Sequence, residues 1–167
     1  MAKLFQNLEK FKNRIALISS NDKKYSYKEI TKKSKYISSK IENGSVILIV
    51  ASNNIESIIG YISFIRSKNL SILLDKNFKL DYIKKIIKKY KPNYIFCPKK
   101  FAHIVKKNCQ IISFQDYNLI KTDYKKHKKI NKKNLLLLST SGTTQNPKFV
   151  RLSNLNLESN TTSITKY

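Results

Sequence analysis

The sequence has little cysteine, proline or glycine and no tryptophan. It contains 2 Cys, 3 Pro and 3 Gly in 167 residues. Cys97 and Cys109 are too few for the disulfide framework of a small secreted domain, and we expect both to be plain buried thiols. Neither His103 nor His127 has a CxxC or HxxxH partner, so the sequence predicts no metal site.

Long hydrophobic runs are also absent. The longest apolar run, Ile58 to Ile65, is broken by Gly60 and Ser63 and falls far short of the roughly 18 residues that a spanning helix needs. The N-terminus, MAKLFQNLEKFKNR, lacks the apolar segment that follows the charges of a secretory signal. We therefore expect a cytoplasmic protein without a membrane span.

Acidic residues and arginine are scarce, whereas lysine is abundant. With 34 Lys and Arg against 10 Asp and Glu, the formal net charge is +24. Only three of the basic residues are Arg, although Arg is the usual reader of bases and phosphates. Lys, Ile and Asn share A/T-rich codons, so the lysine excess is typical of a low-GC genome and we expect no specific nucleic-acid partner. The charge would nevertheless attract polyanions.

Large apolar residues are plentiful despite this charge. The chain is 41% hydrophobic and includes 23 Ile, 10 Tyr and 8 Phe. Intrinsic disorder needs high charge together with few such residues, so we predict a folded chain.

Helical and strand patterns alternate from residue 26 onwards. Ser26 and Glu29 form the S-x-x-E pattern of a capping box, and the apolar spacing that follows predicts a helix ending near Glu42, with Gly44 as its stop. Val46 to Ala51 is a short apolar run, which predicts a strand buried on both faces.

The alternation continues to residue 114. Asn53 and Glu56 repeat the capping pattern, which predicts a helix through Arg66. The later predictions are a strand at Leu70–Leu74, a helix from Leu80 to Tyr90 stopped by Pro92, a strand at Tyr94–Cys97, a short helix at Phe101–Lys107 and a strand at Gln110–Phe114. The predicted fold class is therefore α/β, with a mostly parallel sheet and helices on both faces.

Composition divides the chain into three parts. Residues 1–120 are predicted to form an N-terminal α/β subdomain, and residues 134–167 to begin the next subdomain. Between them, residues 121–133 read KTDYKKHKKINKK, which is rich in lysine and nearly free of apolar side chains. This composition predicts a solvated basic linker, with a polyanion-binding tail as the alternative.

The segment between two further predicted strands, Leu135–Leu138 and Phe149–Leu152, carries the chemistry. Residues 139–148 read STSGTTQNPK, with five hydroxyl side chains around Gly142. Backbone amides and hydroxyl groups of such a loop converge on anionic oxygens, and Lys148 adds a positive charge, so the segment predicts a phosphate site. It is not a Walker A loop, since Pro147 stands at its second glycine and a strand follows. A Ser/Thr-rich turn between strands is the alternative.

The text LLLLSTSGTTQNPKFVRLSNLNL resembles the phosphate loop of the adenylate-forming superfamily, the AMP-binding synthetases and ligases, which reads close to YTSGTTGxPKGVxxSHxN. The order of upstream motifs is similar as well, so the resemblance covers nearly the whole chain. The matching loop positions are Thr140, Ser141, Gly142, Thr143, Thr144, Pro147, Lys148, Val150, Ser153 and Asn156.

Three positions depart from that pattern. Gln145 replaces the glycine of TTG, which is expected to hinder backbone approach to phosphates or to strain φ. Phe149 replaces the glycine of PKG, and Asn154 replaces the histidine of SHxN. The text PKFVRLS is similar to that of acyl-CoA synthetase-like members, so Phe149 and Arg151 indicate a subfamily. Ser153 is also the predicted N-cap of a final helix.

The resemblance implies a two-step ligase that uses Mg²⁺ and ATP. A carboxylate attacks the α-phosphorus of ATP to give an acyl-adenylate and pyrophosphate, and a thiol then takes the acyl group. The resemblance assigns the ATP phosphates to Thr140, Ser141, Gly142, Thr143, Thr144 and Lys148. It assigns no catalytic residue and no metal ligand to this chain.

In that family the adenine pocket, the ribose-binding Asp, the acyl pocket and the catalytic lysine all follow the phosphate loop. Asp116, Asp123 and Glu158 precede or abut the loop and cannot take those roles. The resemblance therefore implies the N-terminal part of a synthetase, inactive by itself, with a second polypeptide carrying the rest as a candidate partner. The alternatives are a non-catalytic nucleotide- or polyanion-binding module and a translated remnant without function.

Overall fold

A computed structural model describes residues 5–105, 109–125, 134–139 and 148–166. These residues form a small N-terminal hairpin and a seven-stranded sheet flanked by helices. The strands are β1 Ile15–Ile18, β2 Lys24–Ser26, β3 Val46–Ala51, β4 Leu70–Asp75, β5 Tyr94–Pro98, β6 Gln110–Phe114, β7 Tyr117–Lys121, β8 Asn134–Ser139 and β9 Phe149–Ser153. The α-helices are α1 Tyr27–Ser38, α2 Ile55–Arg66, α3 Leu80–Tyr90 and α4 Asn154–Ile164. Short 3₁₀ helices occupy Leu8–Phe11 and Lys99–Ile104.

The sheet has the order β6-β7-β5-β3-β4-β8-β9. Its four central strands, β5, β3, β4 and β8, are mutually parallel. At the edges, β7 and β9 run antiparallel to their inner neighbours. The predicted α/β class is confirmed. The sheet is mixed because β6 and β7 form an antiparallel hairpin at one edge, and β9 pairs antiparallel with β8 at the other.

The sequence analysis did not predict β7. This strand follows β6 through the two-residue turn Gln115–Asp116, where Gln115 adopts a left-handed φ of 42°. Hairpin turns of this length are usually signalled by Asn-Gly or Asp-Gly, and this turn has no glycine. The pairing of β7 with both β5 and β6 is a tertiary contact that local patterns do not encode.

Two predicted helix boundaries are wrong. Helix α1 ends at Ser38 and not near Glu42, because the Ser38 and Ser39 hydroxyls donate to backbone carbonyls one turn back and compete with the helical pattern. Helix α2 is capped by Asn54 and not by Asn53, since the Asn54 side chain accepts a hydrogen bond from the amide of Ser57 at 3.0 Å. The capping box of Ser26 and α1 is confirmed.

The short helix predicted at 101–107 is displaced. The chain forms a 3₁₀ helix over Lys99–Ile104, and residues 106 and 107 lie outside the described part. The segment begins earlier than predicted because the amide of Lys99 bonds to the carbonyl of Asp116 at 2.8 Å, next to the hairpin turn.

Two apolar layers cover the central strand β3. Ile47 and Ile49 point into the cluster beneath α1 and α2, whereas Leu48 points into the cluster beneath α3. All three side chains have no exposed surface. The prediction that Val46 to Ala51 is a strand buried on both faces is therefore confirmed.

Two buried asparagines hold the amino end of β3. The Asn69 side chain accepts a hydrogen bond from the amide of Ser45 at 2.9 Å, and the Asn93 side chain accepts one from the amide of Val46 at 3.0 Å. These asparagines precede β4 and β5, so each ties the start of a neighbouring strand to β3. Because a buried amide without a partner is costly, the bonds define where the parallel strands align.

Strand β8 extends the same sheet. It pairs in parallel with β4, with Leu136 opposite Ser71 and Leu138 opposite Leu73. Residues 126–133 of the predicted linker lie outside the described part, and the division of the chain at 121–133 stays a prediction.

The prediction of buried thiols is confirmed for Cys97, whereas Cys109 is half-buried. Neither cysteine is part of a disulfide, and burial raises the pKa of the Cys97 thiol to about 12. None of the described helices has the length and hydropathy needed to cross a membrane.

The N-terminal segment is attached to the helices through Glu9. Its carboxylate accepts a hydrogen bond from the Arg66 guanidinium at 2.8 Å and lies 3.3 Å from the Lys35 ammonium. The bond from Arg66 is the main reason that the pKa of Glu9 falls from 4.5 to about 2. Since the Glu9 side chain is 43% exposed, solvent weakens this attachment.

Glycine at position 60 is required by close packing. A Cβ atom there would overlap ring carbons of the buried Phe96. We expect Gly60→Ala to lower the free energy of unfolding by about 1 to 3 kcal/mol, as overpacking of a core does. Urea denaturation measures this loss, and the Phe96→Leu background should reduce it; an equal loss in both backgrounds would contradict the steric explanation.

The Glu9 attachment predicts a pH dependence. Because folding lowers the Glu9 pKa, its contribution is full above about pH 4.5 and is lost as the pH falls towards about 2. Glu9→Gln should therefore lower the urea midpoint at pH 6 by a small amount that shrinks below pH 4. An NMR titration of the Glu9 carboxyl with a midpoint near 4.5 would show that the attachment is absent in solution.

Candidate phosphate-binding site

The predicted phosphate loop connects two paired strands. Ser139 ends β8 and lies opposite Phe149, the first residue of β9. The predicted site residues Thr140, Ser141, Gly142, Thr143 and Thr144 lie outside the described residues, and the structure describes Lys148, which is exposed. The strand pairing brings the two ends of the loop together.

The strand before the loop is anchored in the core. Leu135, Leu136 and Leu137 are at most 6% exposed, and Leu137 packs in the cluster beneath α3. Parallel strands have their carboxyl ends at the same end of the sheet. Strand β8 therefore ends beside the carboxyl end of β4, where Asp75 lies. Open α/β sheets bind ligands outside the carboxyl ends of their strands. The carboxyl end of β8, after which the loop begins, is thus at the expected place for a ligand site.

Two matched motif positions cap the next helix. The amide of Ser153 donates to the Asn156 side chain at 2.9 Å, and the amide of Asn156 donates to the Ser153 hydroxyl at 3.2 Å. This capping box begins α4 directly after β9 and confirms Ser153 as the predicted N-cap. Ser153 and Asn156 therefore stabilise the start of α4, the helix that follows the loop and β9.

Phe149 connects the end of the loop to α3. Its ring packs edge-on against the ring of Tyr90, with centroids 5.3 Å apart and planes at 73°. Tyr90 is the last residue of α3, and the Lys89 ammonium lies 5.5 Å from the centroid of its ring. The sequence predicts a helix that ends at Tyr90, and no local signal indicates the contact of Tyr90 with Phe149.

A second polar cluster lies at the carboxyl end of β3. The Tyr117 hydroxyl donates to the carbonyl of Val50 at 3.0 Å and shares a hydrogen bond of 2.8 Å with the Ser52 hydroxyl. Burial raises the pKa of Tyr117. The side chain is thus a neutral group that joins β7 to the end of β3, and the sequence analysis missed it together with β7.

The carboxylate of Asp75 has a local partner. Its Oδ1 atom accepts a hydrogen bond from the amide of Asn77 at 2.7 Å, which closes a turn after β4. Across the described ranges, no group of three or more His, Cys, Asp or Glu side chains is arranged to hold a metal ion. None of the described residues is assigned to Mg²⁺.

The chemistry that the described residues can supply is the binding of an anion. Lys148 contributes a positive charge and Ser139 a hydroxyl group, at the two ends of a segment rich in hydroxyl side chains. A lysine ammonium and hydroxyl donors suit phosphate oxygens.

The backbone is similar to solved structures of adenylate-forming enzymes. For apo MatB from Rhodopseudomonas palustris, the TM-score is 0.76 at 19% sequence identity, covering 99% of this chain and 37% of that chain. For ATP-bound MatB from the same organism, the TM-score is 0.75 at 17% identity, with the same coverage. At such identities the likeness shows the fold.

A third similar structure is o-succinylbenzoate CoA synthetase (MenE) from Bacillus subtilis in complex with the acyl-adenylate intermediate OSB-AMP. The TM-score is 0.68 at 18% identity, covering 99% of this chain and 46% of that chain. The present chain thus spans less than half the length of each of these three structures.

The family comparison agrees with the fold. No curated protein matches the sequence significantly. The sequence profile of the AMP-binding enzyme family, however, matches residues 4–167, a range that includes every strand and helix described above. The chain belongs to the AMP-binding enzyme family.

Proposed function

We propose that this chain supplies the ATP phosphate-binding segment of an enzyme that activates a carboxylate as an acyl-adenylate and transfers it to a thiol. The observation that carries the proposal is the pairing of Ser139 with Phe149, which closes the two ends of a hydroxyl-rich sequence, residues 139–148, in a member of the AMP-binding family. The ATP-bound state of a similar fold, that of MatB, supports ATP as the ligand.

The proposed roles follow from the chemistry of the side chains. The amides and hydroxyls of Thr140, Ser141, Gly142, Thr143 and Thr144 donate hydrogen bonds to phosphate oxygens, and Lys148 offsets their charge. When the carboxylate attacks the α-phosphorus, negative charge grows on the departing pyrophosphate. Donors placed where charge grows lower the barrier more than they strengthen ground-state binding.

Other components come from outside this chain. Mg²⁺ bound together with ATP would neutralise phosphate charge. The carboxylate pocket, the thiol site and the catalytic groups are assigned to a further polypeptide segment, either continuous with this chain or separate, because no residue here is assigned to those roles.

The net charge supports a competing function, which is non-catalytic binding of polyanions. The chain carries a net charge of +24, and Glu9, which pairs with Lys35 and Arg66, and Glu42, which pairs with Lys121, are two of its only 10 acidic residues. Such a surface would attract any phosphate polymer, with an affinity that falls steeply as salt rises. A test of the phosphate loop must therefore separate a local effect of Lys148 from the overall charge.

We expect Lys148→Ala to weaken ATP binding about tenfold, as the loss of a charge-assisted hydrogen bond would. The matched control is Lys85→Ala, which removes the same charge from an exposed position on α3. Calorimetric titration at moderate salt should show wild-type affinity for the control.

Equal losses in the two lysine variants, together with tight salt-sensitive binding of DNA of any sequence, would contradict the phosphate-loop proposal and favour polyanion binding. Loss of ATP binding in Lys148→Ala alone supports the loop.

We also expect the purified 167-residue chain to give no ATP–pyrophosphate exchange with any carboxylate. The physical reason is that phosphate binding alone does not position a carboxylate for attack. An exchange signal that disappears in Lys148→Ala would show that catalytic groups are present in this chain after all.

A further inference from the structure

Phe149 directly follows Lys148, at the position where the phosphate-loop sequence of the adenylate-forming superfamily has glycine. A glycine has no side chain to pack, whereas Phe149 adds a large apolar ring at the first residue of β9. Among the differences from that loop sequence, Phe149 is the one whose side-chain contact the structure shows.

Strand β9 has few other attachments to the layers around it. Neither β9 nor α4 contains a buried residue among those described, and the exposed fraction is 47% for Val150 and 76% for Leu155. The strand lies at the edge of the sheet and pairs with β8 through its backbone. Phe149 is half-buried, as Leu152 is, and Phe149 packs against the cluster beneath α3.

The contact that holds Phe149 is specific. Its ring meets the ring of Tyr90 in an edge-to-face arrangement at 5.3 Å, which is a favourable geometry for two aromatic rings. Tyr90 is the last residue of α3, whose residues Ile83, Ile86 and Ile87 are buried in the core. The pair thus connects the start of β9 to a well-anchored helix.

This contact bears directly on the end of the phosphate loop. Phe149 lies opposite Ser139, so holding Phe149 in place also holds the two ends of the loop in register. Lys148 directly precedes Phe149 in the chain. The position of Phe149 therefore sets the direction of the Lys148 backbone.

We propose that Tyr90 and Phe149 form an aromatic clamp that positions Lys148 for the phosphates of ATP. The clamp replaces the conformational freedom of glycine with a fixed start to β9. The inference rests on the proposed function, because it assigns a positioning role to residues beside the phosphate loop. The proposal assigns neither residue a contact with the phosphates.

The test uses the full 167-residue chain and ATP as the probe. Phe149→Gly and Tyr90→Ala remove the clamp, whereas Tyr90→Phe keeps the ring. The matched control is Tyr82→Ala, which removes an aromatic contact on the same helix, since Tyr82 stacks on Phe78.

We expect the two disruptive variants to bind ATP between about twofold and tenfold more weakly than wild type, the range for loss of one aromatic pair. Tyr90→Phe and Tyr82→Ala should bind with wild-type affinity. In the Lys148→Ala background, Phe149→Gly should cause no further loss, because the clamp acts through Lys148. A merely structural role would give additive losses.

Amide hydrogen exchange provides a second readout that needs no ligand. Removing the clamp should speed exchange in the β8–β9 ladder by about the same factor as it weakens binding. Unchanged exchange in Phe149→Gly and Tyr90→Ala would overturn the clamp whether or not ATP binds. If Phe149→Gly does not fold, Phe149→Leu serves in its place, because it keeps an apolar side chain but loses the ring.

The outcomes separate the two proposals. If Lys148→Ala weakens ATP binding and the clamp variants do not, the proposed function stands and the inference is wrong. If Lys148→Ala has no effect, or wild type does not bind ATP, the proposed function fails and the positioning role fails with it.

Discussion

The burial of β3 on both faces is the constraint on which the rest of the structure depends. Ile47, Leu48 and Ile49 have no exposed surface, and their alternation divides the core into a layer beneath α1 and α2 and a layer beneath α3. A strand without solvent on either face must pair on both edges, because its backbone groups have no water to bond. Asn69 and Asn93 satisfy amides at its start and so align β4 and β5 beside it.

This alignment also decides where the strand before the candidate site ends. β3 and β4 are parallel and in register, and β8 pairs in parallel with β4. The carboxyl end of β8 therefore lies beside that of β4, at the end of the strands where open α/β sheets bind ligands. The hydroxyl-rich segment therefore follows a strand that is buried and continues into a strand at the sheet edge. The core fixes the first end of the loop, whereas the second end depends on the pairing of β9 with β8 and on the ring of Phe149.

Patterns in the sequence predicted the elements whose causes are local. The capping box of Ser26, the apolar run of β3 and the helix from Leu80 to Tyr90 all arise from neighbouring residues, and the structure contains each of them. The errors occurred where competition decided the outcome. Serine hydroxyls shortened α1, and Asn54 was chosen over Asn53 as the cap of α2. Strand β7 was missed because its stability comes from strands on both sides of it.

By itself the sequence determined the α/β class, the position of the hydroxyl-rich loop along the chain and the resemblance of that loop to the adenylate-forming enzymes. The reason is that helical periodicity, apolar runs and sequence motifs are properties of residues close together in the chain. Tertiary structure alone decided the strand order, the antiparallel edges and the contact between Tyr90 and Phe149. These residues are far apart in the chain, and the packing of α3 against the sheet is what brings their side chains together. No local pattern specifies which distant surfaces meet when the core excludes water.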